Sequence, residues 1–160
     1  MNNINKISPD KQVFFQRTLS IAKPPKCLWY IGKLPSNVPT VAIVGSRKPT
    51  EYGRGITLKL AAQLAARGVV VVSGLALGHD ALAARGALDG GGTTVAVLGS
   101  GLNDITPHSN IDLGREIVRR GGAIISEYEP NIPVHQGSHL ARNRLISALA
   151  DVVVIVEAGL

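Results

Sequence analysis

Three arginines and a group of small-residue turns are the residues best suited to chemistry. Arg47 follows Gly45-Ser46, and Arg142 and Arg144 flank Asn143. A guanidinium is a planar fork of donors that matches phosphate oxygens. Asn143 adds an amide able to bond backbone or base. Turns such as Gly45-Ser46, Ser73-Gly74 and Gly99-Ser100-Gly101 let another backbone come close and leave peptide N–H groups exposed. Together these make a surface receptive to anions. Arg142 and Arg144 stand two apart, so on a helix only one reaches a common cleft. The other needs a structural acid, for which Glu127 and Glu157 qualify.

Other chemistries lack their residues. The dinucleotide fingerprint is missing after the first long strand, where the text is GSRKPTEYG, and there is no P-loop or nucleophile elbow. Cys27 is the single cysteine, which excludes an internal disulfide and a multi-cysteine metal site. His135 and His139 are four apart, but Pro133 and Gly137 argue against a helix there and no third ligand stands out, so no metal is expected. His79 beside Asp80 reads as a surface residue, because adjacent helical residues do not face each other. Glu127 and Glu157 both end strands. They could form an acid–base pair, but the preferred reading is that each orients an arginine or caps a helix. No cofactor and no catalytic group are expected.

The turns need a scaffold to bring them together. Val41–Val44 is an uninterrupted apolar run entering Gly45, the mark of a strand buried on both faces. Thr50 is placed to cap a helix over 51–67 with apolar positions Ile56, Leu60 and Leu64. A turn of this kind without a ligand is the alternative reading. Strands then alternate with helices: strands at 69–72, 94–98, 123–125 and 152–156, helices near 80–88, from Asn110 to Arg120, and near 140–150. Such alternation gives a mainly parallel α/β sheet with helices on both faces, Rossmann-like and doubly wound. All its strand carboxyl ends open on one edge, where ligands bind at the reversal of strand order. Residues 1–40 read as a basic arm: a mobile start to about Ile7, a short helix from Ser8 to about Leu19, and a strand at 27–31.

The net charge is +6, and residues 1–50 hold eight basic side chains against Asp10 alone. That excess points to a polyanionic partner. With 45% hydrophobic residues and 4% aromatic, the composition is that of a soluble α/β domain. No signal peptide and no bilayer-spanning run stand out, so a cytoplasmic setting with no membrane partner is expected.

From about Phe15 onward the chain resembles the DprA/Smf family of DNA-processing proteins. The matching stretches are VAIVGSRKPTEYG at 41–53, SGLALGHDALAARGAL at 73–88, GGTTVAVLGSGLNDITPHSN at 91–110, GGAIISEYEP at 121–130 and ARNRLISALADVVVIVEA at 141–158. The resemblance implies a Rossmann-like, non-enzymatic domain that binds single-stranded DNA in natural transformation and recombination and helps load RecA, commonly as a homodimer. It places the strand across Gly45, Ser46, Arg47, Ser73, Gly74, Gly78, Asn110, Arg142 and Asn143. Some positions depart from the family pattern. His139-Leu140 stand where Phe-Pro is usual, Ala84 where a histidine is common, and His79 where an isoleucine precedes Asp80. The family continues beyond Leu160, where its usual dimer surface largely lies. Two other readings remain: a nucleotide-binding or nucleotide-cleaving Rossmann-like domain, and a non-binding chain acting through a partner.

Overall fold

A computed structural model describes residues 3–158. Seven strands form one sheet in the order β1 (Asn5–Ile7), β2 (Leu28–Gly32), β6 (Ala123–Ser126), β5 (Thr94–Leu98), β4 (Val70–Ser73), β3 (Thr40–Val44) and β7 (Val152–Ile155). From β6 to β7 every pairing is parallel. Strands β1 and β2 join antiparallel at the far edge. Strand order reverses at β3: the chain adds β4, β5 and β6 on one side of it, then crosses back to place β7 on the other. The expected mainly parallel α/β sheet is therefore present.

The strand sequences explain the layering. Alternate side chains leave a strand on opposite faces. On one face Val70, Val72, Val95, Val97 and Ile125 pack with Phe15, Leu145 and Leu149. These last three belong to α1 (Val13–Gln16) and α5 (Ser138–Leu149). On the other face Ile43 and Val71 meet Ala61 and Ala83, while Ala96, Leu98 and Ile124 meet Leu113 and Ile117. Those partners come from α2 (Glu51–Ala65), α3 (His79–Asp89) and α4 (Ile111–Arg119). Helices thus cover both faces.

Three local expectations change. Residues before Ser8 were expected to be mobile, but Asn5–Ile7 pair with β2; Met1 and Asn2 lie outside the described residues. The helix expected from Ser8 breaks into α1 flanked by two 3₁₀ turns, Pro9–Lys11 and Arg17–Ser20. Thr18 donates its hydroxyl to the Phe15 carbonyl (2.7 Å) inside the second turn, a side-chain bond that competes with helix propagation. In α2 the buried stripe is Gly53, Thr57, Ala61 and Ala65 rather than the larger residues, and Ile56 is 37% exposed. Small residues let α2 and α3 approach until Gly86 lies against the Leu58 backbone.

The N-terminal segment is bound into this body. Arg17 reaches Asp151 (2.9 Å), and the other Asp151 oxygen accepts the Thr40 N–H (2.9 Å). Phe15 has no exposed surface. Phe15→Ala should therefore lower the unfolding free energy of the whole chain by about 3–5 kcal/mol in urea titration, with a single transition. A separate, early-melting N-terminal segment would contradict this.

Candidate nucleic-acid interface

A cavity of about 650 Å³ opens at the strand reversal, between the ends of β3 and β7 and the start of α5. Gly45, Ser46, Arg47, Asp80, Arg142 and Asn143 line it. The sheet topology makes this crevice: β3 leads its loop one way into α2, and β7 arrives from the other side. Arg47 and Arg142, far apart in sequence, share it.

The two arginines are held differently. Arg47 is exposed, and among the described residues no carboxylate pairs with it. Arg142 is 4% exposed. Its Nη1 donates to the carbonyls of Gly74 (2.7 Å) and Val97, and its Nε to Asn143 Oδ1 (3.2 Å). Its Nη2 has no acceptor among the described residues. A Cβ on Gly74 would run into this guanidinium, so only glycine fits there. Burial pulls the Arg142 guanidinium below its ordinary value, opposed by Asp80 and reinforced by Arg47. Asp80 is pushed up by burial, against the pull of Arg142, and one of its oxygens accepts the Gly74 N–H (3.0 Å). The acid that offsets Arg142 is therefore Asp80, a residue to which the sequence reading gave no such part.

The remaining expected site residues fall in two groups. Gly78 shapes the crevice from behind: it starts α3 at φ +77° with its α-carbon against the Ser46–Arg47 backbone. Ser73 and Asn110 are buried and already engaged. Ser73 donates its hydroxyl to the Ile43 carbonyl (2.7 Å), and Asn110 donates its amide to the carbonyls of Leu75 (2.8 Å) and Ala76 (3.2 Å). The Asn110 side chain makes no capping bond to α4.

The carboxylates at the strand ends take the structural parts preferred for them. Arg144 Nη2 donates to both oxygens of Glu127 (2.7 and 2.8 Å), so Arg144 is turned away to this partner. Glu157 accepts the Thr50 N–H (3.0 Å) and the Thr50 hydroxyl (2.5 Å), while the Thr50 oxygen accepts the Gly53 N–H (3.0 Å). It thereby closes the start of α2. His79 is not the surface residue expected. It is fully buried, with Nε2 2.9 Å from Glu157 and Nδ1 2.7 Å from the Thr57 hydroxyl. The ring fits beneath Gly45, whose missing Cβ leaves it room. Sequence spacing hid this because its partners lie on α2 and after β7.

Of the basic residues among the first fifty, Arg47 lines the crevice, while Lys6, Lys11 and Arg17 have other neighbours. Strands β1 and β7 are opposite edges of the sheet. Lys6 lies over the Trp29 ring (4.9 Å), Lys11 beside Asp10 (3.5 Å) and Arg17 beside Asp151.

Comparison with known proteins adds ancestry to this geometry. The family model described as DNA recombination-mediator protein A matches residues 6–160. The chain belongs to that family. It is 38% identical over 157 residues to Protein Smf of Synechocystis sp., covering 95% of this chain and 39% of that protein. Protein Smf of Escherichia coli is 36% identical over 159 residues, 99% of this chain and 42% of that one. The chain thus spans about two fifths of these curated relatives. Among solved structures it is similar to DNA processing protein A from Helicobacter pylori, a protein described as having a unique single-stranded DNA binding mode. There the TM-score is 0.84 at 36% identity, covering all of this chain and 73% of that one. The DprA structure from Streptococcus pneumoniae gives 0.84 at 32% identity, over 96% of this chain and 54% of that one.

Glu157 supplies a pH test of the crevice. The Thr50 hydroxyl, then its N–H, then His79 hold the carboxyl below the usual glutamate value of 4.5. A depressed carboxylate contributes stability above its unfolded value and loses it as pH falls through the folded one. Glu157→Gln should lower Tm at pH 7, and the gap to the native chain should close as pH drops below about 4.5. A gap that stays constant in acid would contradict the assignment.

Proposed function

We propose that this chain binds single-stranded DNA in the crevice between β3 and β7, in the cytoplasm, without reading sequence and without catalysing a reaction. The observation that carries the reading is the pairing of an exposed Arg47, without a carboxylate partner among the described residues, with a buried Arg142 in one cavity. One held cation and one free to move, beside a glycine turn, suit the phosphates of a strand. Similarity over the whole chain to a protein described as binding single-stranded DNA supports it. The crevice lining holds no Phe, Tyr or Trp, so stacking contributes less than in aromatic binders.

In support of a non-catalytic role, three of the proton-transfer groups are committed to structural bonds. His79, Glu127 and Glu157 are each hydrogen-bonded to structural partners. Among the described residues, no group of three or more His, Cys, Asp or Glu side chains is placed to hold a metal, and no helix is long and apolar enough to cross a membrane. Delivery of the bound strand to RecA, and pairing of two copies, extend the proposal on family membership alone. Gly45, Ser46, Arg47, Arg142 and Asn143 would touch the strand. Gly74 and Gly78 would shape the floor, and Ser73 and Asn110 would hold the loops.

Fluorescence anisotropy with labelled oligo(dT) tests the reading. Affinity should fall linearly with salt on logarithmic axes. Arg47→Ala should weaken binding alike for all base compositions and reduce the salt slope by about one. A salt-insensitive mononucleotide ligand would replace this reading with a nucleotide site, and failure to bind at low salt would overturn it.

A further inference from the structure

The crevice has one more polar group that its architecture leaves unexplained. His139 lies in the first turn of α5 and lines the cavity with Arg47 and Arg142. Its Nδ1 is buried and has no hydrogen-bond partner among the described residues. That nitrogen sits against Gly99, where an added Cβ would stand 3.0 Å from it and 3.2 Å from the His139 backbone nitrogen. The residue itself is half-exposed, so the nitrogen open to the crevice is Nε2.

Resting on the single-stranded DNA reading above, we propose that His139 is a neutral phosphate ligand, an imidazole locked with its one proton on Nε2 and aimed at the strand. The lock follows from the burial of Nδ1. A buried lone pair without a partner costs less than a buried N–H without an acceptor, and far less than half of an imidazolium. With Nδ1 bare, the ring's one proton resides on Nε2, which is then a donor. The charges facing the ring agree. They are Arg47 from the β3–α2 loop, Arg142 from its own helix and Asp80 from α3; the Gly99-Ser100 turn brings none. Burial, then Arg142 and Arg47, keep the imidazole below its ordinary value, with Asp80 opposing.

Such a donor differs in kind from the arginines. It adds a directed bond to a phosphate oxygen without carrying charge, so it releases no counterion and leaves the salt slope unchanged. It also holds its proton across the neutral range, so its contribution does not change there.

The test compares the full chain with His139→Phe, His139→Gln and Arg47→Ala, each first checked for native Tm. Glutamine places an amide N–H near the position of Nε2; phenylalanine keeps the ring and removes the donor. Against labelled oligo(dT), His139→Phe should bind about tenfold more weakly, as for a lost bond to a charged group. His139→Gln should recover most of that, and neither should alter the salt slope. The ratio of native to His139→Phe affinity should match at pH 6 and pH 8. Nitrogen-15 spectra of the imidazoles, with the His139 signal identified by its loss in His139→Gln, should give the Nε2–H form at both. Native affinity for His139→Phe, a glutamine no better than phenylalanine, or an imidazolium at pH 6 would overturn the inference while oligo(dT) binding stands. Absence of oligo(dT) binding by the native chain would instead overturn the functional reading, and this inference with it.

Discussion

The architecture of the crevice depends on a buried cation. Arg142 is enclosed under the strand ends, and an enclosed cation is costly unless hydrogen-bond acceptors and opposite charge surround it. Here the carbonyls of Gly74 and Val97 take Nη1, and Asp80 supplies the compensating charge. Each requirement reaches back into the chain. Gly74 must lack a side chain, its N–H must hold Asp80, and α3 must begin where it does. Since Nη1 and Nε are fully engaged, the guanidinium has one direction left. The result is a positive potential fixed in place rather than carried on a mobile side chain.

Much of this was legible in the sequence, for reasons specific to particular residues. The apolar runs at 41–44, 94–98 and 123–125 could only be interior strands, so the sheet and its open edge followed. Arg47 behind Gly45-Ser46 was legible because turn and cation are contiguous. The division of labour between Arg142 and Arg144 followed from helical geometry, and Glu127 took Arg144 as that argument required. What was not legible is what depends on contacts between distant segments. His79 meets Thr57 from α2 and Glu157 from beyond β7. Asp80 faces Arg142 across more than sixty positions of sequence. Summed charge did not show where the basic groups lie: Arg47 lines the crevice, whereas Lys6 is on β1 at the far edge of the sheet.

The α2 helix shows how a periodic pattern of large residues can mark the margin of a buried face. Of Ile56, Leu60 and Leu64, the two leucines pack partly buried against the core while Ile56 is exposed. The centre of the inward face holds Gly53, Thr57, Ala61 and Ala65. Close helix contact favours small side chains over large ones, and hydrophobicity scales do not register that preference. The same close packing brings the Thr57 hydroxyl within reach of His79, so the unpromising stripe is the one that supports the site.

The bonds gathered by Glu157 have a mechanical consequence. One carboxylate ties the end of β7 to the start of α2 and to a ring on α3, so this side of the crevice cannot shift without breaking several bonds together. A receptor this stiff leaves adaptation to its guest. A lone polynucleotide strand turns freely about its backbone bonds and can mould itself to such walls. A duplex, with a persistence length near 150 base pairs, resists bending on that scale. Under the single-strand reading proposed above, stiffness on this side of the host would favour the more flexible guest.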